Sequence, residues 1–338
     1  SGLHSTNREI ARRNALRENI AGANLNYHKG LFRIGATGVY QGYDKPFVKD
    51  VKLYNQYDFR GQHHLNFSTD YSFNFKNVSL FGEVAKAFND SLSGLSSGWA
   101  MMHGALISLD SKVSFGLVYR DYQRDYFSFY NAGFSEGSNT QNERGLYSGI
   151  KMKFNSKWSM NGYVDLFKFP WMKYGVDGPS RGHEFLVQPT YKPNKIFEVY
   201  FRFRQQLRER NSSLYEGAVT PIEPYTQRNY RLNLSYVISE AFTYKSRIEL
   251  LTINSQSKGF QKGMMVTQDL LWKPKSSPID LAFRYALFDT DGYDTRIYSF
   301  ENNALYVFAV PAYYYQGSRA YILIRYSFLR HCDLWVRY

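Results

Sequence analysis

Apolar and polar residues alternate along most of this chain with a period of two. From Leu65 to Phe75 the odd positions are apolar, except for Thr69, and the even positions are polar. The same alternation recurs at 197–204, 231–238 and 281–287. A strand points successive side chains to opposite faces, whereas a helix cannot place such a set on one face. The pattern therefore predicts strands with one apolar and one polar face.

The connections between these strands are of two kinds, short turns and long polar loops, and the two kinds alternate. This arrangement is typical of bacterial outer-membrane barrels, so we predict an all-β fold, an antiparallel transmembrane β-barrel with about sixteen strands. The predicted long loops lie near 43–62, 89–99, 122–144, 170–181, 206–227, 254–261 and 289–318. The predicted strands are 19–29, 31–42, 63–75, 79–89, 100–110, 113–122, 145–155, 158–169, 182–192, 195–206, 228–238, 242–253, 262–273, 279–289, 319–330 and 333–338.

The strand order also predicts how the chain relates to a complete barrel. Residues 1–18 are expected to be a partial extracellular loop, and residues 19–338 a transmembrane segment. The first predicted strand starts and the last one ends on the outer side. Bacterial barrels have even strand numbers, and both termini are usually periplasmic, so we expect further strands before Asn19 and after Tyr338 and hence a larger barrel.

Composition agrees with a barrel and argues against helical spans. Mean hydropathy is −0.48 although aromatic residues make up 18% of the chain, because outward apolar and inward polar residues cancel in the average. No apolar run is long enough for a transmembrane helix. The net charge of +13 suits either an anionic partner, such as lipopolysaccharide or nucleic acid, or a basic inner wall. No catalytic or dinucleotide motif is present, so we expect neither an enzyme nor a cofactor.

Four stretches carry a resemblance to a known family. They are Phe167–Trp171, Asp177–Gly182, Phe283–Tyr298 and Val310–Tyr315, in this order. Together they resemble a family of large Bacteroidota outer-membrane proteins that carry a helix-hairpin-helix region, related to competence-type DNA-binding segments, ahead of a C-terminal barrel. The resemblance implies an outer-membrane location. It implies a DNA-related role only through the helix-hairpin-helix region, which this sequence lacks.

The polar face of the predicted strands collects arginines. Arginine keeps its charge and binds phosphate or carboxylate with two hydrogen bonds, so these residues could form an anion-attracting inner wall. The alternative is a self-satisfied network that fills the wall, with Glu198, Glu249 and Asp269 as the acidic partners. The candidate basic residues are Arg202, Arg204, Arg231, Arg247, Arg284, Arg325 and Arg337.

The long loop before the last strands holds two further candidates. The stretch from Ala304 to Tyr315 is too apolar to stay in water as a free loop, so we expect it to fold inward as a plug. Its candidate plug residues are Leu305, Val307, Phe308, Val310, Tyr313, Tyr314 and Tyr315, of which the three tyrosines would equally suit carbohydrate stacking. The carboxylates of Asp289, Asp291 and Asp294 are a weak calcium candidate, because their spacing departs from the EF-hand pattern; a polar turn is the alternative.

These features predict an outer-membrane barrel that acts as a conduit or as the membrane-embedded subunit of an envelope complex. A DNA-uptake or nucleic-acid-handling barrel is the alternative, and an outer-membrane enzyme is the least favoured hypothesis. The expected partners are outer-membrane lipid and lipopolysaccharide, other envelope proteins and, under the alternative, nucleic acid.

Overall fold

The fold is dominated by one large sheet. A computed structural model describes residues 5–91, 94–130, 132–215, 217, 219–329 and 332–338. Within them a 16-stranded antiparallel sheet follows the order of the sequence, apart from a separate pair of short strands inside the last long loop. The predicted strand number is confirmed. No helix in the described part of the chain is long and apolar enough to cross a membrane.

The strands of the sheet are long and closely spaced. They are β1 (Glu18–Lys29), β2 (Phe32–Tyr43), β3 (His63–Phe75), β4 (Val78–Ser91), β5 (Gly94–Asp110), β6 (Val113–Tyr122), β7 (Glu143–Lys153), β8 (Trp158–Phe169), β9 (Ser180–Tyr191), β10 (Phe197–Asn211), β11 (Ile222–Val237), β12 (Phe242–Ser255), β13 (Gly259–Trp272), β14 (Ile279–Thr290), β17 (Gln316–Leu329) and β18 (Cys332–Arg337). The short pair is β15 (Ile297–Tyr298) and β16 (Ala312–Tyr313). The segment before β1 holds one short helix, α1 (Asn7–Ala11), capped by Thr6 and Glu9.

The two faces of the sheet are sorted as the alternation predicts. One row of paired residues crosses five strands, from β10 to β14, and is entirely apolar: Phe201, Leu232, Ile248, Val266 and Leu287. Four of these five side chains are exposed, at 41–50%; Val266 is half-buried. On the opposite face the neighbouring positions carry arginines and carboxylates that are buried or half-buried. An apolar exposed face of this kind is the surface that a barrel presents to lipid.

Two of the predicted long loops are wrong. Near 89–99, β4 runs to Ser91 and β5 starts at Gly94, with the two residues paired. Near 254–261, Ser255 pairs with Gly259 at the end of a tight turn. In both places polar residues suggested a loop, but backbone pairing extends the strands past the apolar band. The loops at 44–62, 123–142, 170–179 and 291–315 remain long.

The short turns follow from local backbone preferences. Lys29 pairs with Phe32, which leaves only two residues to reverse the chain between β1 and β2. The first of them, Gly30, has φ of 59°, a left-handed conformation that glycine adopts without a steric cost. The short turn between the predicted strands 19–29 and 31–42 is thus confirmed.

Contacts within the chain define two compact units. Unit 1 comprises residues 1–108, 116–148 and 166–181, and unit 2 comprises 109–115, 149–165 and 182–338. A buried cluster in unit 1 contains Ala85, Ala87, Ala100, Tyr122 and Tyr126. The largest buried cluster of unit 2 contains Leu251, Met265, Ala286, Ile297 and Tyr313, and so joins the strands to the last long loop.

The face assignment can be tested on one strand. Leu232 lies in the exposed apolar row, whereas Ser235 lies on the polar face opposite Glu198. An arginine at the bilayer midplane on the lipid face costs roughly 2–4 kcal/mol. We therefore expect Leu232→Arg to reduce folding of the full-length protein into lipid vesicles and Ser235→Arg to have little effect, measured by heat-modifiable mobility on gels. Equal losses in the two variants would contradict the assignment.

Candidate functional site on the polar face of unit 2

The predicted arginines of unit 2 lie on the polar face of neighbouring strands. Arg202 on β10 is paired with Arg231 on β11, and Arg231 is paired with Glu249 on β12. Asp269 on β13 is paired with Arg284 on β14. Because paired residues on one face lie side by side, the register places cations and carboxylates within reach of each other.

Glu249 is the centre of the first group of contacts. Its buried carboxylate accepts hydrogen bonds from Arg231, with Nε 2.9 Å and Nη2 3.1 Å away, and from Arg247 Nε at 2.6 Å. The side-chain amide of Asn229 donates a further bond, 2.6 Å long. One carboxylate therefore serves two predicted arginines, as expected for a charge held away from bulk water.

Three more arginines of the set have carboxylate partners of their own. Arg284 Nε and Nη2 lie 2.5 and 2.8 Å from the two oxygens of Asp269. Arg204 makes the same two-pronged contact with Glu184, with both distances 2.7 Å. Arg325 Nη2 lies 2.8 Å from Asp280. These contacts pair many of the predicted arginines with carboxylates on the same face, although Nε of Arg325 and of Arg337 is buried without a hydrogen-bond partner among the described residues.

One of the predicted acidic partners is wrong. Glu198 pairs with Lys192, 2.6 Å away across the hairpin between β9 and β10, and not with an arginine of the wall. Arg202 instead donates to the amide oxygen of Gln188 at 2.7 Å. Sequence reasoning also missed Glu184, although its pairing with Gln206 puts it on the polar face diagonally beside Arg204. Strand periodicity alone could not find Glu184, because it does not give the register in which β9 pairs with β10.

The long loop after β14 packs onto this wall. Ile297 of β15 and Tyr313 of β16 are buried against Leu251, Met265 and Ala286 of the strands. Ser299, also buried, accepts hydrogen bonds from Nη1 of Arg247 and Nη1 of Arg284, each 3.2 Å long. The loop thus shares arginines with the strand carboxylates and covers the network.

Glu301 anchors the loop to β17 and β18. Its side chain is fully buried and accepts hydrogen bonds from the hydroxyl of Tyr313 at 2.5 Å and from Arg319 Nε at 2.8 Å. Arg337 of β18 donates to its other oxygen. We call Glu301 with Tyr313, Arg319 and Arg337 the latch. Arg319 could have been found from the sequence, because it lies on the same strand face as Arg325. Glu301 could not, because a loop has no regular alternation.

The latch sets the protonation of its members. Burial alone would raise the pKa of Glu301, but hydrogen bonds from Tyr313 and Arg337 and the charge of Arg319 hold the pKa below its ordinary value. Burial, and then the hydrogen bond to Glu301, raise the pKa of Tyr313. At neutral pH the carboxylate is therefore ionised and the phenol is protonated, which is the combination that forms the contact.

The predicted plug residues divide into two groups. Tyr313 is buried, at 1% exposed, as an inward-folded segment requires. The prediction is wrong for Leu305, Val307, Phe308 and Val310, which are all exposed, with Phe308 at 81%. Tyr314 and Tyr315 are also exposed and pack against each other, with ring centroids 5.3 Å apart. The loop contacts the wall through Ser299, Glu301 and Tyr313, while its apolar tip is exposed to solvent.

The calcium candidate is not supported by the geometry. Asp291 accepts a hydrogen bond from the backbone N–H of Lys262 at 2.8 Å, and Asp294 pairs with Lys258. Across the residues that the structure describes, no three His, Cys, Asp or Glu side chains gather as a group that could hold a metal. Asp291 and Asp294 therefore bind separate partners.

Comparisons with known proteins identify the fold alone. No protein-family model matches the sequence, and no curated protein matches it. A solved chain of the FpvAI–pyocin S2 complex is 10% identical, with a TM-score of 0.53, over 95% of this chain and 50% of its own length. The outer-membrane channel DcaP of Acinetobacter baumannii is 10% identical, with a TM-score of 0.44, over 93% of this chain and 97% of its own. OmpT, an outer-membrane protein of Vibrio cholerae, is 10% identical, with a TM-score of 0.43, over 96% of this chain and 95% of its own.

The fold and the exposed apolar band decide the class of protein. The chain has the fold of bacterial outer-membrane β-barrel proteins. It spans half the length of the FpvAI-complex chain that it matches, and identity near 10% carries no activity from any of these structures. What this barrel does must therefore be argued from its own wall and loops.

The paired wall predicts a large stability effect at Glu249. Removing one partner of a buried ion pair typically costs about 3–5 kcal/mol, because it leaves a charge without compensation. We expect Glu249→Gln to lower the unfolding midpoint of the full-length protein in detergent with guanidinium. Glu240→Gln is the matched control, since Glu240 and Lys275 form a pair that is 83% exposed on both sides and contributes little. Similar shifts in the two variants would mean that the wall network is not stabilising.

The latch predicts a pH dependence with a definite sign. A carboxylate with a lowered pKa stabilises the fold above its unfolded value, which is 4.5 for Glu301, and this stabilisation is lost as pH falls through the folded value. We expect a spin label at Asn303→Cys, a half-buried position two residues from Glu301, in a Cys332→Ser background, to stay immobile from pH 7 to 5 and to gain mobility below 4.5. The same label in Glu301→Gln should be mobile at every pH; loss of immobility between pH 7 and 6 would contradict this account.

Proposed function

We propose that this barrel is a gated conduit whose inner wall in unit 2 is covered at rest by its own loop. The observation that carries the proposal is the latch, in which a fully buried carboxylate from a loop is bound by two arginines of the wall strands. A loop that served only to connect β14 to β17 would not need such an anchor. Infolded loops that narrow a barrel are a common way to set its permeability.

The charges of the wall suggest what opening would do. While the latch is closed, Glu301 pairs with both Arg319 and Arg337, and Ser299 occupies one N–H each of Arg247 and Arg284. Moving the loop away would leave Arg319 and Arg337 without that carboxylate, whereas Arg231 and Arg284 would keep Glu249 and Asp269. The uncovered strip would be moderately basic, and rings of arginine favour anions. Anionic solutes are therefore the proposed cargo class.

A second function is favoured by the same contacts. Most of the wall arginines have a protein partner, so the network also suits a barrel that serves as the membrane-embedded subunit of an envelope complex and passes no solute. The DNA-handling alternative, which rests on the family resemblance, would need those arginines for phosphate. It stays a prediction without a contact that favours it over anion passage.

Single-channel recording on the full-length protein tests the conduit. We expect the intact protein to show little steady conductance. Replacement of 297–313 by a glycine–serine segment of equal length should raise the conductance and make it anion-selective, because it removes Glu301 and Tyr313. Replacement of 304–308 alone is the matched control, because this tip is exposed and lies outside the latch.

The outcomes separate the hypotheses. A large steady conductance in the intact protein, or equal currents in the two variants, would contradict the gate. A cation-selective current after replacement would contradict the basic wall and also the passage of DNA. No current in any variant, with heat-modifiable mobility retained, would favour the envelope-complex subunit.

A further inference from the structure

Three loops of unit 1 enclose a pocket that the wall and the latch do not use. The loops are 44–62 after β2, 123–142 after β6 and 170–179 after β8. All three follow even-numbered strands, so in an up-and-down sheet they leave the strands at the same edge, the one that long loops mark as extracellular. The pocket between them has a volume of about 490 Å³, within the range of small-ligand sites.

Hydrogen bonds tie these loops to one another. The backbone of Trp171 exchanges two bonds of 2.8 Å with the side-chain amide of Asn142. The indole N–H of Trp171 donates to the carbonyl of Leu53 at 2.9 Å. Each loop is therefore held by a neighbour, and the pocket is formed before any ligand arrives, which lowers the entropy cost of binding.

Further contacts within the same loops support the pocket. Phe59, Phe127 and Phe129 pack on one another and on the buried His64, with ring centroids 4.8–5.6 Å apart. Glu143 is fully buried, binds Arg120 Nε at 2.6 Å and accepts hydrogen bonds from the backbone N–H groups of residues 136 and 137. Because residue 137 lines the pocket, this buried ion pair fixes one of its walls.

Arg124 is the chemically distinctive residue of the pocket. Its guanidinium lies 4.6 Å from the ring centre of Tyr57 and 5.2 Å from that of Trp171, within cation–π distance of both rings. The residue is exposed, and among the described residues no carboxylate pairs with it. Lys49, by contrast, is neutralised by Asp58. The cation–π contacts restrain the guanidinium, and its N–H groups stay available to an anionic ligand.

The rest of the lining suits a sugar. Tyr54 and Tyr174 contact each other edge to face, with ring centroids 5.6 Å apart, and Trp171 adds an indole. Aromatic rings offer apolar surface with little conformational entropy to lose, which matches the C–H faces of a pyranose ring. Ser138, Asn139 and Gln141 contribute hydroxyl and amide groups that can bond sugar hydroxyls.

We propose that this pocket binds an anionic saccharide, a sugar that carries a phosphate or carboxylate, with Arg124 on the anionic group and the aromatic residues on the ring. Such a ligand could be the phosphorylated headgroup of lipopolysaccharide or a free acidic sugar. The proposal does not depend on the gated conduit, because the pocket lies wholly within unit 1 and the latch wholly within unit 2.

The test is calorimetric titration of the full-length protein in detergent. The probes are lipopolysaccharide, the same lipopolysaccharide after dephosphorylation, glucose 6-phosphate, glucuronic acid and glucose. We expect at least one anionic probe to bind and its uncharged counterpart to bind more weakly. Arg124→Gln should weaken the anionic probe roughly tenfold or more, as expected for a charge-assisted hydrogen bond, with little effect on glucose.

Control variants separate a binding role from a folding role. Arg144→Gln is the matched control, because Arg144 is also exposed in unit 1 but pairs with Asp121 outside the pocket. Tyr54→Ala should weaken charged and uncharged probes alike. Binding of lipopolysaccharide but not of free sugars would identify the lipid headgroup, and the converse a soluble ligand.

Three results would overturn the proposal. They are no binding of any anionic probe to the intact protein, equal affinity for glucose and the anionic probes, and equal affinity of the Arg124→Gln and Arg144→Gln variants. Heat-modifiable mobility of each variant shows that the barrel is folded, so a loss of binding cannot be attributed to misfolding.

Discussion

Ion pairing on the polar face is the constraint on which the wall of unit 2 depends. Arginines on one face of a transmembrane sheet must be compensated by water or by fixed anions, because an uncompensated charge in a water-poor wall is costly. Glu249, Asp269 and Glu184 supply fixed anions from neighbouring strands, at positions set by the register. Strand pairing, side-chain charge and the path of the loop therefore act together to compensate the wall arginines.

The loop after β14 supplies a further carboxylate from outside the sheet. Arg319 and Arg337 find their carboxylate on Glu301, a loop residue, and not on an adjacent strand. This makes the coverage of the wall conditional, since a loop can leave whereas a paired strand cannot. In unit 1 the loops bind one another, and Arg124 stays exposed beside Tyr57.

Period-two alternation in the sequence correctly predicted which face of the sheet each strand residue occupies. The exposed row through Leu232 and the inward position of Arg231 both follow from side-chain parity, as does the choice of Glu249 as a partner. Glu198 was misassigned because its pairing with Lys192 depends on the shape of a hairpin. The pocket around Arg124 was not predictable, because its three loops are far apart in sequence and no periodicity governs their meeting. The plug prediction at Phe308 failed for a related reason, because the apolar character of a loop residue does not show which part of the loop packs against the wall.

The exposed tip of the last long loop has a mechanical consequence. Tyr306 and Phe308 protrude into the surroundings, yet the strands on either side of the tip are joined by the β15–β16 ladder and by the bridge between Glu301 and Ala309. A pull on the tip is therefore transmitted to Glu301 and Tyr313 together, through short and stiff connections. A partner that held the tip would therefore act on the latch without touching the wall.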